Sequence, residues 1–224
     1  MAAQRSAGHN RAVHEERPFL PAAGRDAFLP LYDPLTRLLG LTRALEELIA
    51  RAELLASHDI LDVGCGTGTL AVRVARRYPS VRITGLDPDV NALARAAKKA
   101  ARAGVTVRFE RGFADAMEYA DRSFDRVLSS MMLHHVHRTE KPKALAEMRR
   151  VLKPGGRLEL MDIMVHGSRG RLARLLHGEG QLNANADDRI MAALRDAGFA
   201  DVTKTGERHT LFGPIGYYRG RGAD

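Results

Sequence analysis

A doubly wound α/β fold with a mostly parallel sheet is predicted by three observations. Short apolar runs alternate with segments of helical spacing from Asp59 onward. Three glycines, Gly64, Gly66 and Gly68, follow the first apolar run. Two carboxyl residues, Asp62 and Asp87, sit in the first two runs, close to their carboxyl ends. Strands joined by helical crossovers pair in parallel, and such sheets bind ligands beyond the carboxyl ends of their strands.

The elements follow in order. Pro18, Pro21, Pro30 and Pro34 forbid one continuous helix over residues 18–40. Leu35–Leu55 then places Leu38, Leu41, Leu45, Leu48 and Ile49 at helical spacing. Ile60–Val63 reads as a short buried strand and Leu70–Arg77 as a helix. Arg82–Leu86 is a strand, and Asn91–Ala103 an alanine-rich helix stopped by Gly104. Val105–Glu110 and Phe124–Ser129 are strands. Helix Pro142–Leu152 follows, with Leu145, Met148, Val151 and Leu152 on its apolar face. Lys153-Pro154-Gly155-Gly156 ends that helix and turns the chain into strand Arg157–Ile163. A last helix, Asp187–Ala197, stops at Gly198. Thr203–Leu211 and Ile215–Arg219 form a closing hairpin around Gly213-Pro214.

A chain of 224 residues with 45% hydrophobic content suits one such domain and a modest appendage. Residues 1–52 read as a flexible N-terminus and helical cap, and residues 53–224 as the sheet domain. No run of eighteen apolar residues exists, so no membrane span is expected. Met1–Arg17 is polar and lacks the apolar centre of a secretory signal. The single cysteine, Cys65, excludes an intrachain disulfide and a multi-cysteine zinc site. A cytoplasmic protein is the simplest expectation, with a homodimer among the open oligomeric states. The net charge of +8 invites a nucleic-acid partner. Against that, the arginines are dispersed, tryptophan is absent and aromatics are 5% of the chain. Charge alone speaks to non-specific attraction.

The segment Asp62-Val-Gly-Cys-Gly-Thr-Gly68 joins the first strand to the first crossover helix. Glycines let the backbone turn tightly and approach a ligand, and the helix offers free N–H groups. The spacing G-x-G-x-G differs from the dinucleotide pattern, which would want glycine where Thr69 stands. Asp62 would attract an ammonium group and repel a pyrophosphate, which disfavours a nicotinamide dehydrogenase. Asp87 stands 23 positions after Gly64, where a strand tip presents a carboxylate to ribose hydroxyls. It competes with a second role there, a helix N-cap with Pro88 at the first helical position.

These motifs resemble the class I S-adenosylmethionine-dependent methyltransferases. Asp62–Gly68 looks like their first motif and Gly85-Leu-Asp87-Pro88 like their second. Arg111-Gly-Phe-Ala-Asp115 stands where an adenine-contacting loop would be. Ser123–Ser130 and Leu152–Arg157 are similar to the fourth-strand motif and the turn before the fifth strand. The likeness spans about residues 58–165 and is greatest to the small-molecule branch with the ubiquinone and menaquinone C-methyltransferases. The hairpin ending Phe212–Arg219 is similar to that branch too. The resemblance implies a Rossmann-like, doubly wound, seven-stranded, mostly parallel sheet with an antiparallel closing hairpin and an N-terminal helical cap. It implies S-adenosyl-L-methionine as cofactor, with Asp62, Gly64, Cys65, Gly66, Gly68, Asp87, Pro88, Phe113, Ala114, Asp115 and Ser129 around it. Phe113 departs from the family, which often has aspartate there, so Asp115 or the backbone takes over the adenine amino group.

Methyl transfer needs the acceptor fixed close to the methyl carbon and water kept out. A base is needed only when the acceptor must lose a proton. Leu133-His134-His135-Val136-His137 follows the fourth strand. His134 and His135 are the catalytic candidates, a metal site and a packing role being the alternatives; no metal is expected. Tyr32, in Leu31-Tyr-Asp-Pro34, is either a substrate-side residue of an access loop or a turn anchor. Met132 is the other substrate-side candidate. The amino-directed nucleic-acid enzymes carry a Pro-Pro-aromatic motif where Ser130–Leu133 stands here. The sequence therefore favours methyl transfer to a small-molecule acceptor, with an RNA or DNA methyltransferase or a non-catalytic cofactor-binding module as alternatives.

Overall fold

The computed structural model describes residues 41–164, 187–211 and 213–222. Tyr32 and the rest of the access-loop segment lie outside the described residues. Helix α1 (Leu41–Arg51) comes first. Then follow β1 (Asp59–Val63), α2 (Thr69–Arg77), β2 (Arg82–Asp87), α3 (Val90–Ala103) and β3 (Arg108–Arg111). Next come β4 (Phe124–Ser130), a 3-10 turn (Leu133–His135), α4 (Lys141–Arg150) and β5 (Leu152–Ile163). The described chain closes with α5 (Asp187–Asp196), β6 (Ala200–Thr210) and β7 (Gly213–Arg221).

The seven strands form one sheet in the order β3-β2-β1-β4-β5-β7-β6. The first five are parallel, and β7 runs antiparallel between β5 and β6. This is the Rossmann-like mixed sheet with the closing hairpin that the sequence predicts. The chain order reverses direction across the sheet between β1 and β4, which makes their carboxyl ends the natural crevice.

Alternate strand residues face opposite sides, so one strand feeds two cores. Ile60 and Tyr217 join the apolar faces of α1 and α2, including Leu48, Ile49, Leu70 and Val74. Leu61 and Tyr218 join those of α4 and α5, including Leu145, Met148, Ile190 and Leu194. Helix α1 is thus part of the core; the Tyr217 hydroxyl donates to the Ala44 carbonyl at 3.1 Å and anchors it from the sheet. Arg126 and Arg219 donate to the Ala52 and Arg51 carbonyls at its C-terminal end, where the helix dipole favours cations.

Three local expectations change. Helix α3 begins at Val90 and its N-cap is Asp89, which accepts from the Asn91 and Ala92 amides. Pro88 therefore lies outside the helix and Asp87 is not the cap. Strand β3 starts at Arg108, not Val105. The Lys-Pro-Gly-Gly segment lies inside β5, because Leu152 already pairs with Phe124 before the register resumes at Arg126 and Arg157. The unequal advance on the two strands bulges residues 153–156 out of the ladder, with Gly155 at φ 71°.

Candidate functional site

The glycine loop is built from left-handed backbone. Gly64, Gly66 and Gly68 have φ of 70°, 51° and 73°, which side chains disfavour. Each has its own spatial reason or none. A Cβ on Gly64 would stand 2.1 Å from Met132 Cγ. One on Gly68 would strike Ala96 and Phe109, whereas one on Gly66 would meet nothing within 4 Å. The loop is hung on β2: the Gly64 and Cys65 amides both donate to the Leu86 carbonyl, at 2.8 and 3.1 Å.

Asp87 locks this arrangement. Its carboxylate accepts from the Gly66 amide at 2.8 Å and from the Asp89 amide at 3.0 Å. Burial pushes its pKa up to about 6, opposed by those two amides. Asp62 is more extreme. It is fully buried, and neither carboxylate oxygen has a hydrogen-bond partner. Desolvation and the Asp87 charge push its pKa up to about 8, against a weak opposing influence of the Ala71 amide. A buried carboxyl group without a partner is costly, and a cationic ligand beside it removes the cost.

Around this pair stand the other predicted residues. Cys65 is buried and its thiol is pushed well up by desolvation and the two carboxylates, so it is unreactive packing. Phe113 is buried and bridges Ala116, placing Ala114 and Asp115 in the turn between them. Ser129 is buried and its hydroxyl donates to the Val63 carbonyl at 3.1 Å, bracing the root of the glycine loop from β4. Met132 lies against Gly64 and links the segment after β4 to the loop after β1. Pro88 connects Asp87 to the capping Asp89.

The three histidines diverge. His134 is buried and its Nδ1 lies 2.5 Å from Asp162 Oδ1, while its amide donates to Asp162 Oδ2 at 3.0 Å. His135 stacks on His134 with ring centroids 4.0 Å apart. His137 instead bonds Thr139 at the surface. Among the described residues, no three histidine, cysteine or carboxylate side chains stand in metal-binding geometry.

Residues 60–156 match the family model for a methyltransferase domain. The chain is also similar to curated methyltransferases. It is 35% identical over 164 residues to 27-O-demethylrifamycin SV methyltransferase from Amycolatopsis mediterranei, covering 70% of this chain and 59% of that protein. It is 39% identical over 137 residues to demethylmenaquinone methyltransferase from Deinococcus radiodurans, covering 59% and 56%. Its fold is similar to phosphoethanolamine N-methyltransferase 2 from Haemonchus contortus in complex with S-adenosyl-L-methionine. The TM-score is 0.74 at 16% identity, over 91% of this chain and 58% of that one. The chain spans about half to three fifths of the length of these curated relatives.

The matched region takes in the glycine loop, Asp87, the 113–116 turn and the histidine segment, and stops short of Asp162. The unsatisfied Asp62 carboxyl and the bare Gly66 backbone fit a cationic aminoacyl nucleoside. Sequence reasoning missed two features around the site. One is Asp162, a carboxylate near the carboxyl end of β5 whose position alone was the available signal. The other is the Glu147–Arg150 clamp of α4. Glu147 accepts from the Met117 amide at 2.9 Å, and Arg150 donates to the Met117 and Tyr119 carbonyls at 3.0 and 2.7 Å. That clamp fixes the segment following the 113–116 turn.

Proposed function

We propose that the protein transfers the methyl group of S-adenosyl-L-methionine to a small, largely apolar acceptor. The observation that carries this reading is the buried, unpartnered Asp62 beneath a loop of three left-handed glycines, with Asp87 beside it. Asp62 would face the ammonium end of the cofactor. Asp87, already holding the loop, would turn its charge toward the ribose hydroxyls, and Phe113, Ala114 and Asp115 would border the adenine. Bound there, the cofactor supplies the electrophilic methyl, so the protein's task is positioning and exclusion of water. Met132, packed on Gly64, stands on the acceptor side. The relatives named for methylating a menaquinone precursor and a rifamycin support an acceptor of this class.

Isothermal titration with S-adenosyl-L-methionine tests the cofactor. No binding at about millimolar cofactor ends the reading. Transfer of a labelled methyl group into a host metabolite extract, with total RNA and DNA as parallel arms, tests the acceptor. Label in nucleic acid alone transfers the function to a macromolecule, and tight binding without turnover in any arm makes the chain a cofactor-binding module.

A further inference from the structure

Lys99, near the C-terminal end of α3, reaches back to the glycine loop. Its ammonium donates to the Thr69 hydroxyl at 2.6 Å and to the Thr67 hydroxyl at 3.1 Å. Thr67 is buried and lies between Gly66 and Gly68, and Thr69 is the first residue of α2. One side chain therefore ties both the loop and the helix after it to α3. Ala96, three residues before Lys99, is its neighbour on the same helix face. A Cβ on Gly68 would stand 2.7 Å from Ala96 Cβ. That face of α3 backs the third glycine with Ala96 and holds the threonines on both sides of it with Lys99.

Helix stability does not account for a lysine here. The N-cap of α2 is Gly68, which has no side chain to bond the first amides. An ammonium at that end meets the positive pole of the helix, which disfavours it. A long, flexible side chain also loses freedom when two hydroxyls hold it. The contact instead fixes position where the loop is least confined. Gly66 has open space where a Cβ would stand, and Asp87 holds its amide from the end of β2. Lys99 takes hold at the next residue, from a different element. Glycine adopts many conformations at little cost, so a loop with three of them keeps one shape only if its surroundings impose it.

Resting on the transferase reading above, we infer that Lys99 is a positioning residue for S-adenosyl-L-methionine. It acts through Thr67 and Thr69, holding the glycine loop in the shape that receives the ligand. A loop ordered in advance spares the ligand the cost of ordering it. Asp87 and Lys99 thus brace residues 66 and 67 from β2 and from α3.

Titration calorimetry with S-adenosylmethionine and with S-adenosylhomocysteine tests this, alongside backbone amide hydrogen exchange. Lys99→Met should bind both about tenfold more weakly than wild type. Exchange should quicken at residues 66–69 while β1, β4 and β5 keep their wild-type rates. Lys99→Arg retains charge and donors and should restore part of the affinity. Thr67→Val removes the other half of the loop contact, so combining it with Lys99→Met should cost much less than the product of the two separate losses. Wild-type affinity in Lys99→Met overturns the positioning role and leaves the transferase reading standing. So does a loss of affinity matched by faster exchange throughout the sheet, or losses from Lys99→Met and Thr67→Val that simply multiply. A wild-type protein that binds neither compound overturns both.

Discussion

The Gly66 amide donates to the Asp87 carboxylate at 2.8 Å, so the second strand holds the loop of the first before any ligand arrives. Asp87 is thereby a structural residue, and on the proposed function it is a binding residue too. Asp87→Ala should weaken S-adenosyl-L-methionine binding by at least about tenfold, from the loss of charge-assisted bonds. Titration calorimetry checks it, and unchanged affinity removes Asp87 from the site.

Asp62 makes the cofactor-free protein pH-sensitive. Its folded pKa, about 8, lies above the ordinary 3.8. The folded state then binds more protons than the unfolded state between these values, so stability falls as pH rises from about 4 to 8. Asp59, held near 2 by Arg82 and Lys153, acts below that window. His58, whose pKa burial lowers, acts in the opposite sense within it. The difference between wild type and Asp62→Asn isolates the effect. The variant should melt higher than wild type at pH 8, approach it as the pH falls toward about 4, and bind the cofactor at least about tenfold more weakly. Parallel melting curves at all pH values contradict this.

The three glycines are not equivalent. Gly64→Ala drives a Cβ into Met132 and should cost about 1–3 kcal/mol for overpacking, beyond about 1–2 kcal/mol for the left-handed backbone. Gly66→Ala faces open space and should cost only the backbone amount, yet still impair cofactor binding. Denaturant melts separate the two, and Met132→Ala should relieve the Gly64→Ala variant alone.

Arg150 holds the segment after the 113–116 turn through two carbonyls while its partner Glu147 holds an amide. Arg150→Leu should cost about 1–3 kcal/mol by leaving these groups unpaired and weaken the cofactor severalfold. Equal affinity in a destabilised variant would separate this clamp from the binding site.

The strands and crossover helices were legible because apolar runs and helical spacing are local signals. The glycine loop was legible for the same reason: alternate glycines imply alternate left-handed residues. The helix cap was not. Asp87 and Asp89 flank Pro88 symmetrically, and the choice falls to Asp89 because the Gly66 amide claims Asp87, a contact 21 residues away. Asp162 was hidden for a similar reason. Its partner lies 28 residues back in sequence, across α4, and nothing local separates it from Glu159, the other buried carboxylate of the same strand. The early start of β5 was masked by Pro154 and two glycines, which read as a turn and are in fact a bulge.

The antiparallel β7 carries a further consequence. Because it runs against β5, Ile163 pairs with Ile215 and the Met164 amide donates to the Pro214 carbonyl. The β6–β7 turn therefore shares its rim with the crevice, and the chain leaves β5 and later re-enters α5 from that same rim. Substitutions at this rim can reshape it while the opposite edge, with β2 and β3, keeps the glycine loop in place. On the proposed function, selectivity and donor binding would then evolve on separate sides of one sheet.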